Sequence, residues 1–399
     1  MSLPLRDVIV VGGGPAGVAA AILLRQKGHD VLLLDAARFP RDKVCGEAVS
    51  PEAWRLLERL DAASAVRALR PHPLRGMALT APDGTTFRGE YGSEREPGFA
   101  APRERLDQAL LGCARTAGVE VREGARVTRL RLEGRQVTGV ELENGHGPEE
   151  LGARLVVGAD GRHSRVARSL DLLHEHPWLR KFAVRGYWEG MEGLSELGEM
   201  HVAAGGYCGI APLSPTRANV AFVLGRLDIR AAGGDIERFY RDTIAGRWPR
   251  LADRLARARL LAPPKAVGPL ALVARRVSAP GVLLVGDAAG FYDPFTGEGV
   301  TLALRTAEMA AEEADRALRA GPTDDLRSYD RRRDEATRDK FRLNRLLQGV
   351  VAFPELSNFV ARRLSRRPDL ARQLVGIAGD FVPARTALGL GFVYELLAG

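Results

Sequence analysis

Short apolar runs alternate with glycine-rich turns at the start of the chain. Residues 7–11 form a β-branched run, which predicts a short strand that is buried on both faces. Residues 18–27 are rich in helix formers, and Gly28 stands where a glycine commonly ends a helix. Residues 31–34 form a second apolar run, and Asp35 closes it. The pattern predicts a β-α-β unit that ends on an acidic residue.

A glycine cluster with the sequence GGGPAG, residues 12–17, joins the first strand to the helix. Gly12 permits the tight turn, Gly14 lets backbone amides approach a pyrophosphate, and Gly17 lets helix and strand pack closely. Ala16 lies in the first helical turn, where unpaired N–H groups and the helix dipole stabilise phosphate charge. Asp35 is placed to accept hydrogen bonds from an adenosine ribose. The unit predicts a dinucleotide site, although the cluster alone is also compatible with a plain glycine turn.

The arrangement of strand, glycine and aspartate returns twice later in the chain. Residues 155–161 read LVVGADG and carry Asp160, and residues 281–290 read GVLLVGDAAG and carry Asp287. A nicotinamide-only dehydrogenase would continue its β-α-β pattern, whereas a polar loop at residues 38–47 interrupts it. Each segment alone is also typical of a simple turn after a buried strand. Together they make independent turns a poor interpretation.

Between these segments the chain has the pattern of antiparallel strands. Residues 181–188 and 218–224 have alternating or apolar character, which predicts a second sheet. Residues 77–88, with a turn at 82–84, predict a hairpin that joins this sheet.

Amphipathic helices with a basic excess are predicted from residue 325 onward. They close the second domain in one interpretation, and contact a partner or a membrane surface in the other. The apolar segment at residues 386–397 is predicted to pack over a hydrophobic substrate.

Composition narrows the class of protein. The 399 residues are 45% hydrophobic and 27% charged, and no run of about 18 apolar residues is present, so we expect a globular protein without a membrane-spanning helix. The start of the chain leaves no room for a secretion signal, and we therefore expect a cytoplasmic protein. Cys45, Cys113 and Cys208 are far apart, which predicts no metal centre. The net charge of +8 is spread among acidic residues, so we expect no nucleic-acid partner, while a peripheral contact with an anionic membrane stays open.

The three glycine and aspartate segments, in this order, resemble the flavoprotein hydroxylase superfamily over about 300 residues. The resemblance implies FAD as the cofactor and an α/β fold. That fold comprises a Rossmann-type FAD-binding domain, an interleaved antiparallel-sheet substrate domain and a helical C-terminal region. It implies a division into a split FAD-binding domain at 1–75, 101–170 and 270–322, a substrate domain at 76–100 and 171–269, and a C-terminal region at 323–399.

The resemblance also implies roles for single residues. Asp287 hydrogen-bonds the ribitol, and the backbone amides of Gly299 and Val300 face the flavin pyrimidine at a helix N-terminus. Residues 103–110, RERLDQAL, are similar to the R-x-x-L-D-x-x-L segment whose leading arginine lies along the FAD pyrophosphate; the alternative for Arg103 is a place on the helix surface. A strand at 121–127 lies near the adenine, with Val127 as a backbone contact.

The loop PRDKVCGE, residues 40–47, is similar to the P-R-x-K-x-C-G-E segment of geranylgeranyl reductases and their flavin-dependent halogenase relatives. In the reductases this loop, here with Cys45 and Gly46, lies against the isoalloxazine ring. Cys45 is therefore a candidate catalytic residue that tunes the flavin or helps to deliver a proton. A small polarizable residue packed at the ring face is the alternative.

Residues 207–212, YCGIAP, stand where the halogenases have W-x-W-x-I-P and the geranylgeranyl reductases tend to have Y-x-W-x-F-P. Tyr207 and Pro212 fit the reductase pattern, whereas Gly209 and Ala211 replace large aromatic residues. The missing rings argue against halogenation and predict a wider or differently shaped substrate pocket. Tyr207 is equally compatible with a place in the core.

We therefore expect an FAD-dependent oxidoreductase that reduces carbon-carbon double bonds of a lipophilic isoprenoid- or polyketide-like substrate by hydride transfer from flavin N5. The alternative is a monooxygenase that hydroxylates an aromatic or quinone-like substrate through a C4a-hydroperoxide. An atypical halogenase and an electron-relaying flavoprotein complete the hypotheses. The reductant is NAD(P)H or another donor, since no second complete glycine fingerprint is found.

Overall fold

A computed structural model describes residues 5–92, 96–143, 147–177, 179–230, 233–379 and 382–398. The strands of this part are β1 (Leu5–Val11), β2 (Val31–Asp35), β3 (Ala48–Val49), β4 (His72–Leu74), β5 (Gly76–Thr80), β6 (Thr86–Glu90), β7 (Gly98–Ala100), β8 (Glu120–Glu123), β9 (Arg126–Glu133), β10 (Gln136–Glu143), β11 (Pro148–Gly158), β12 (Leu173–Glu175), β13 (Lys181–Glu189), β14 (Leu197–Ala203), β15 (Gly206–Pro212), β16 (Arg217–Gly225), β17 (Arg259–Leu260), β18 (Lys265–Val267), β19 (Leu272–Ala274), β20 (Ser278–Ala279) and β21 (Val282–Leu284). The helices are α1 (Pro15–Gln26), α2 (Glu52–Arg59), α3 (Ala63–Ala68), α4 (Arg103–Thr116), α5 (Arg165–Ser169), α6 (Arg226–Arg230), α7 (Ile236–Arg247), α8 (Pro249–Leu255), α9 (Gly299–Ala320), α10 (Arg327–Ala352), α11 (Pro354–Arg366), α12 (Pro368–Ala378), α13 (Arg385–Leu388) and α14 (Leu390–Ala398).

The first sheet contains the predicted β-α-β unit. Its strands run in the order β20-β21-β11-β1-β2-β8, and the pairs within β21-β11-β1-β2-β8 are parallel. Residues 8–11 and 31–34 are buried, as expected for central strands covered on both faces. Helix α1 packs against α4 and α9 beside this sheet. The carboxyl ends of β1, β2, β11 and β21 therefore meet at one edge.

Strand β11 belongs to two parts of the first sheet. Its beginning pairs antiparallel with β10, which pairs with β9, and the rest pairs parallel with β1.

The prediction of one strand at 121–127 is wrong. β8 ends at Glu123 and β9 begins at Arg126, because Gly124 adopts a left-handed φ of 73° and turns the chain.

The second sheet confirms the antiparallel prediction. Its strands run in the order β17-β13-β16-β15-β14-β5-β6, with β18 beside β13, and the predicted hairpin forms β5 and β6. Only the β14–β5 pair of this sheet is parallel among the described strands. One face packs on α7 and α8 through Phe222, Tyr240 and Trp248. The other face is left for the cavity described below.

The C-terminal helices lie against the second sheet. Helices α11 and α12 contact β6, and Gly89 allows the close approach, because a Cβ there would lie 2.7 Å from the Ala371 carbonyl oxygen. No helix of the described residues has the length and apolar content needed to cross a bilayer. The proposed domain boundaries stay a prediction.

Candidate active site

A cavity of about 1160 Å³ opens at the carboxyl ends of the parallel strands of the first sheet. Ligands of open α/β sheets bind at this edge. The second sheet and α10 form its other walls. The predicted site residues that line it are Gly12, Gly14, Ala16, Asp35, Cys45, Gly46, Arg103, Val127, Asp160, Asp287, Gly299 and Val300. The structure brings these residues together, and their roles as cofactor contacts stay predictions.

Gly17 is the predicted site residue that does not line the cavity. A Cβ on Gly17 would lie 1.8 Å from the Gly12 carbonyl oxygen, and a Cβ on Gly12 would lie 2.4 Å from the Ala159 carbonyl oxygen. These two glycines therefore allow α1, β1 and the end of β11 to approach. A Cβ on Gly14 would meet only the guanidinium of Arg41, at 3.6 Å, because Gly14 faces the cavity.

Helix α1 begins at this turn without a side-chain cap on its first N–H groups. Such a terminus is an anion site, since unpaired N–H groups and the helix dipole both favour negative charge. Helix α9 also begins at the cavity without a side-chain cap, and a Cβ on Gly299 would meet nothing within 4 Å. Two uncapped helix N-termini therefore open toward one cavity.

Two arginines share one buried carboxylate next to the glycine turn. Arg103 donates from Nε to Asp107 Oδ1 and from Nη2 to Oδ2, both at 2.8 Å, while Arg41 Nη1 lies 3.2 Å from Oδ2. Arg41 Nη2 also lies 3.8 Å from Asp35 Oδ2, so two carboxylates balance the two guanidinium groups. Both arginines line the cavity at the place where a pyrophosphate is expected. The sequence shows Arg41 only as a member of the loop motif at residues 40–47, and its position next to Gly14 was not predicted.

Asp35 and Asp160 hold backbone turns at the cavity edge. Asp35 accepts hydrogen bonds from the N–H groups of Gly13, at 2.7 Å, and Ala37, at 2.8 Å. Asp160 Oδ2 accepts from the N–H of Arg165 at 2.7 Å, whereas its Oδ1 is buried without a hydrogen-bond partner. Burial raises the pKa of Asp160. An unpartnered buried oxygen at a cavity is a place where a ligand hydroxyl or amide can bind.

Asp287 follows β21 in a short 3₁₀ helix at Gly286–Ala289. Its Oδ2 lies 3.3 Å from Nζ of Lys43, so an ion pair connects this segment to the loop at residues 38–47. Lys43 lines the cavity too, and sequence reasoning gave it no role. No sequence signal connects it to Asp287, because the contact joins residues that are far apart in the chain.

The segment Cys45-Gly46-Glu47 forms one wall of the cavity. The Cys45 carbonyl accepts a hydrogen bond from Asn219 Nδ2 at 2.8 Å, and Cys45 Sγ accepts one from the Glu47 N–H at 3.3 Å. A Cβ on Gly46 would meet nothing within 4 Å. Asn219 lies on β16, so the second sheet holds the backbone of Cys45 in place.

Glu47 is a buried acid that sequence reasoning missed. Its Oε1 accepts hydrogen bonds from the Arg103 N–H, at 2.9 Å, and from the Tyr187 hydroxyl, while its Oε2 is buried without a hydrogen-bond partner. Burial raises the pKa of Glu47, and these hydrogen bonds oppose the rise only in part. Its φ of 63° is rare for a residue with a side chain, which indicates that the surrounding contacts impose this conformation.

The wall opposite the glycine turns comes from side chains of the second sheet and α10. The Tyr207 hydroxyl donates to Asp293 Oδ1 at 2.5 Å, and Asn344 Nδ2 donates to the Asp293 carbonyl at 3.2 Å. Burial raises the pKa of Asp293. Tyr207 is fully buried and packs edge-on against Phe295, so it is both a core residue and a cavity residue.

Gly209 lies on the cavity face of β15, where the sequence pattern lacks an aromatic residue. A Cβ there would have only ordinary contacts, the nearest being Met200 Cε at 3.7 Å.

The apolar segment at 386–397 was predicted to cover the substrate, and that prediction is wrong. None of its described residues lines the cavity, and Phe392 and Leu396 pack instead on α11 and α12.

Comparison with known proteins identifies the group that fits this site. Residues 6–342 match the family model described as FAD binding domain. The chain is 30% identical over 319 residues to menaquinone reductase of Mycolicibacterium smegmatis, covering 77% of this chain and 75% of that protein. It is 31% identical over 324 residues to digeranylgeranylglycerophospholipid reductase of Methanosarcina mazei, covering 79% and 76%.

A solved structure of a flavoprotein/dehydrogenase from Cytophaga hutchinsonii has the same fold, with a TM-score of 0.85 at 20% identity over 99% of this chain and 100% of that chain. The cavity suits FAD in its chemistry. It has two uncapped helix N-termini, two arginines beside the glycine turn, and carboxylates at Asp35, Asp160 and Asp287. The chain belongs to the FAD-binding-domain family, in its geranylgeranyl reductase-like branch of FAD-dependent oxidoreductases.

Proposed function

We propose that the protein reduces carbon-carbon double bonds of a lipophilic isoprenoid- or polyketide-like substrate. The observation that carries the proposal is the Cys45-Gly46-Glu47 segment, with its thiol and its buried acid, which faces a mainly apolar wall. That wall includes Met77, Met200, Val223, Leu270, Phe291 and Phe295. The names of the two reductase relatives agree with a lipophilic substrate.

Reduction of a double bond adds a hydride to one carbon and a proton to the other. Reduced FAD, when bound, supplies the hydride. The chain supplies the proton, and we assign it to the thiol of Cys45, which is the candidate catalytic residue. The Glu47 N–H, 3.3 Å from Sγ, stabilises the thiolate that remains after the transfer. Glu47, a buried acid two residues away whose pKa burial raises, is the group that we assign to relay the replacement proton to the thiolate.

The other residues bind and orient. Arg41, Arg103 and the α1 N-terminus hold the pyrophosphate of FAD, and Asp287 holds its ribitol. The apolar wall excludes water from the reacting carbons. The reductant is NAD(P)H or another two-electron donor, and mixing the oxidised protein anaerobically with NADH or NADPH checks this by the loss of flavin absorbance.

The function is tested by anaerobic turnover. FAD-loaded protein is reduced with dithionite or NADPH and incubated without oxygen with a geranylgeranylated glycerolipid. We expect products heavier by the mass of two hydrogen atoms for each reduced bond. A product that forms only in air and contains an added oxygen atom would replace the reductase with the monooxygenase alternative.

The role of Cys45 has a matched control in the same chain. Cys45→Ala should retain FAD and lose most of the reduction, because the proton donor is gone. Cys113 is also half-buried but lies on α4 outside the cavity, so Cys113→Ala should be unchanged. Equal activity of the two variants would leave Cys45 as a packing residue only.

A further inference from the structure

The C-terminal helices carry an unusual concentration of exposed apolar side chains. Among the described residues, nine large apolar side chains are exposed, and seven of them lie between residues 346 and 397. We call these seven the apolar patch: Leu346, Phe353, Leu356, Phe359, Val393, Tyr394 and Leu397. Single exposed apolar residues are ordinary, whereas their clustering marks an interaction surface.

The patch is built on helices that contact one another. Helix α11 contacts both α10 and α14. Leu356 and Phe359 are three residues apart on α11 and share one face, while Ala361 and Leu364 point into the core. Arg363 connects α11 to α14, because its guanidinium lies 5.3 Å from the Phe359 ring and donates to the Leu397 carbonyl at 3.2 Å. Helix α11 is therefore apolar on two sides.

Cations lie on the helices that carry the patch. Residues 340–399 contain nine Lys and Arg against four Asp and Glu, which is most of the excess positive charge of the chain. Arg342, Arg345 and Arg366 are exposed on the same two helices, α10 and α11. Exposed apolar side chains and arginines on the same helices are complementary to an anionic lipid bilayer, in which apolar side chains enter the acyl boundary and cations meet the head groups.

The inner side of the same helices is apolar as well. A second cavity of about 90 Å³ lies between them and the second sheet, lined among others by Leu79, Val202 and Leu347. It shares Met77, Met200, Phe295, Thr296 and Ala378 with the main cavity. Helices α10 and α11 therefore separate the apolar end of the active site from the apolar patch.

We propose that the apolar patch on α10, α11 and α14 docks the protein on an anionic bilayer surface. The docking inserts side chains only to interfacial depth. Docking turns the second cavity, which lies between these helices and the second sheet, toward the lipid. A lipophilic molecule is dissolved in that phase. The docking depends on the apolar patch and its cations, and it does not depend on the reaction. A negative result for docking would therefore leave the proposed reductase function unaffected.

The test is co-sedimentation of the FAD-loaded protein with vesicles. The probes are vesicles of phosphatidylcholine and phosphatidylglycerol in equal parts, and vesicles of phosphatidylcholine alone. We expect the protein to pellet with the anionic vesicles and to be released at about 1 M NaCl, where the Debye length is near 3 Å. The triple variant Phe353→Ser, Leu356→Ser, Phe359→Ser should lower the partition coefficient by about tenfold or more.

The chain provides a matched control. Leu5 and Leu132 are 65% and 51% exposed outside the patch, so Leu5→Ser with Leu132→Ser should bind vesicles like the wild type. Equal FAD content and melting temperature of all variants show that they are folded. Arg366→Glu should weaken the binding without changing either property.

Three results would overturn the proposal. The first is no binding to anionic vesicles, and the second is equal binding to neutral and anionic ones. The third is a stable dimer without lipid that the triple variant converts to a monomer, because the patch would then be an interface between two copies of this chain.

Discussion

Backbone groups and small residues form one wall of the cavity, around Gly12, Gly14 and Gly299, and side chains of the second sheet and α10 form the other, around Tyr207 and Asp293. In the first wall the glycines have no side chain, and this absence is what serves the function, because it lets a cofactor approach the backbone. In the second wall each contact depends on one side chain, so a substitution at an open position such as Gly209 changes the shape of that wall. Substitutions in the first wall should therefore affect FAD binding and the fold, whereas substitutions in the second wall should affect the substrate.

The largest effect is expected inside the glycine turn itself. Gly17→Ala places a methyl group 1.8 Å from the Gly12 carbonyl oxygen and should destabilise the protein by about 3 kcal/mol or more. Gly14→Ala, which meets only Arg41 at 3.6 Å, should fold normally and bind FAD more weakly. Thermal unfolding and FAD titration separate the two outcomes. A Gly17→Ala protein with the wild-type melting temperature would contradict the close packing.

Next comes Asp287, a side chain within the backbone-built wall. Asp287→Ala should leave a folded protein whose FAD affinity is roughly 10- to 100-fold weaker, the usual cost of losing a hydrogen bond to a charged group. FAD remaining after dialysis is the measurement, with Asp253→Ala, exposed on α8, as the control. Stoichiometric FAD in the dialysed variant would refute the assignment of the ribitol site.

The pH dependence of Glu47 is a third test. Burial raises its folded pKa above the ordinary value of 4.5, so its contribution to stability is complete below 4.5 and is lost as the pH rises through the folded pKa. In the apoprotein, the unfolding free energy of Glu47→Gln should therefore rise relative to that of wild type as the pH increases from 4.5 to the folded pKa. The rise is at most about 1.4 kcal/mol per pH unit.

Urea unfolding between pH 4.5 and pH 8 measures this difference. Glu120→Gln is the control. Although burial opposes it, hydrogen bonds from Arg122 and Arg6 lower the pKa of Glu120, so the effect of this substitution should not change over the same range. A flat profile for Glu47→Gln would show that its carboxyl is not a buried acid.

Gly209→Trp tests the side-chain wall. The indole should enter the substrate region, because a Cβ at this position has only ordinary contacts. We expect the KM of the lipid reduced in the anaerobic assay to rise roughly tenfold, with FAD affinity unchanged. Weaker FAD binding together with an unchanged KM would reverse the assignment of the two walls.

The smallest effect is expected at Val127. Its predicted contact with the adenine uses the backbone, so Val127→Ala should cost roughly 1 kcal/mol of stability and leave the FAD dissociation constant within about twofold. Fluorescence titration of FAD checks this. A tenfold loss of affinity would mean that the side chain contacts the cofactor.

The backbone-built wall could largely be predicted from the sequence, since glycine spacing and strand ends leave local signals. The break at Gly124 could not, because apolar spacing alone does not distinguish one strand from two. The sequence shows Arg41, Lys43 and Glu47 only as members of the loop motif at residues 40–47, without their contacts. Their partners are Asp107, Asp287 and Tyr187. Those contacts depend on how distant segments fold together.

The division of the site over the chain has a consequence for synthesis. β1 lies between β2 and β11, and β11 lies beside β21, so the edge that carries Asp287 forms only after residues near 300 have left the ribosome. Contacts over such long separations are slow to form. FAD retention is therefore a late event, and a yellow colour in a nascent or truncated product would report that the whole nucleotide-binding half has assembled.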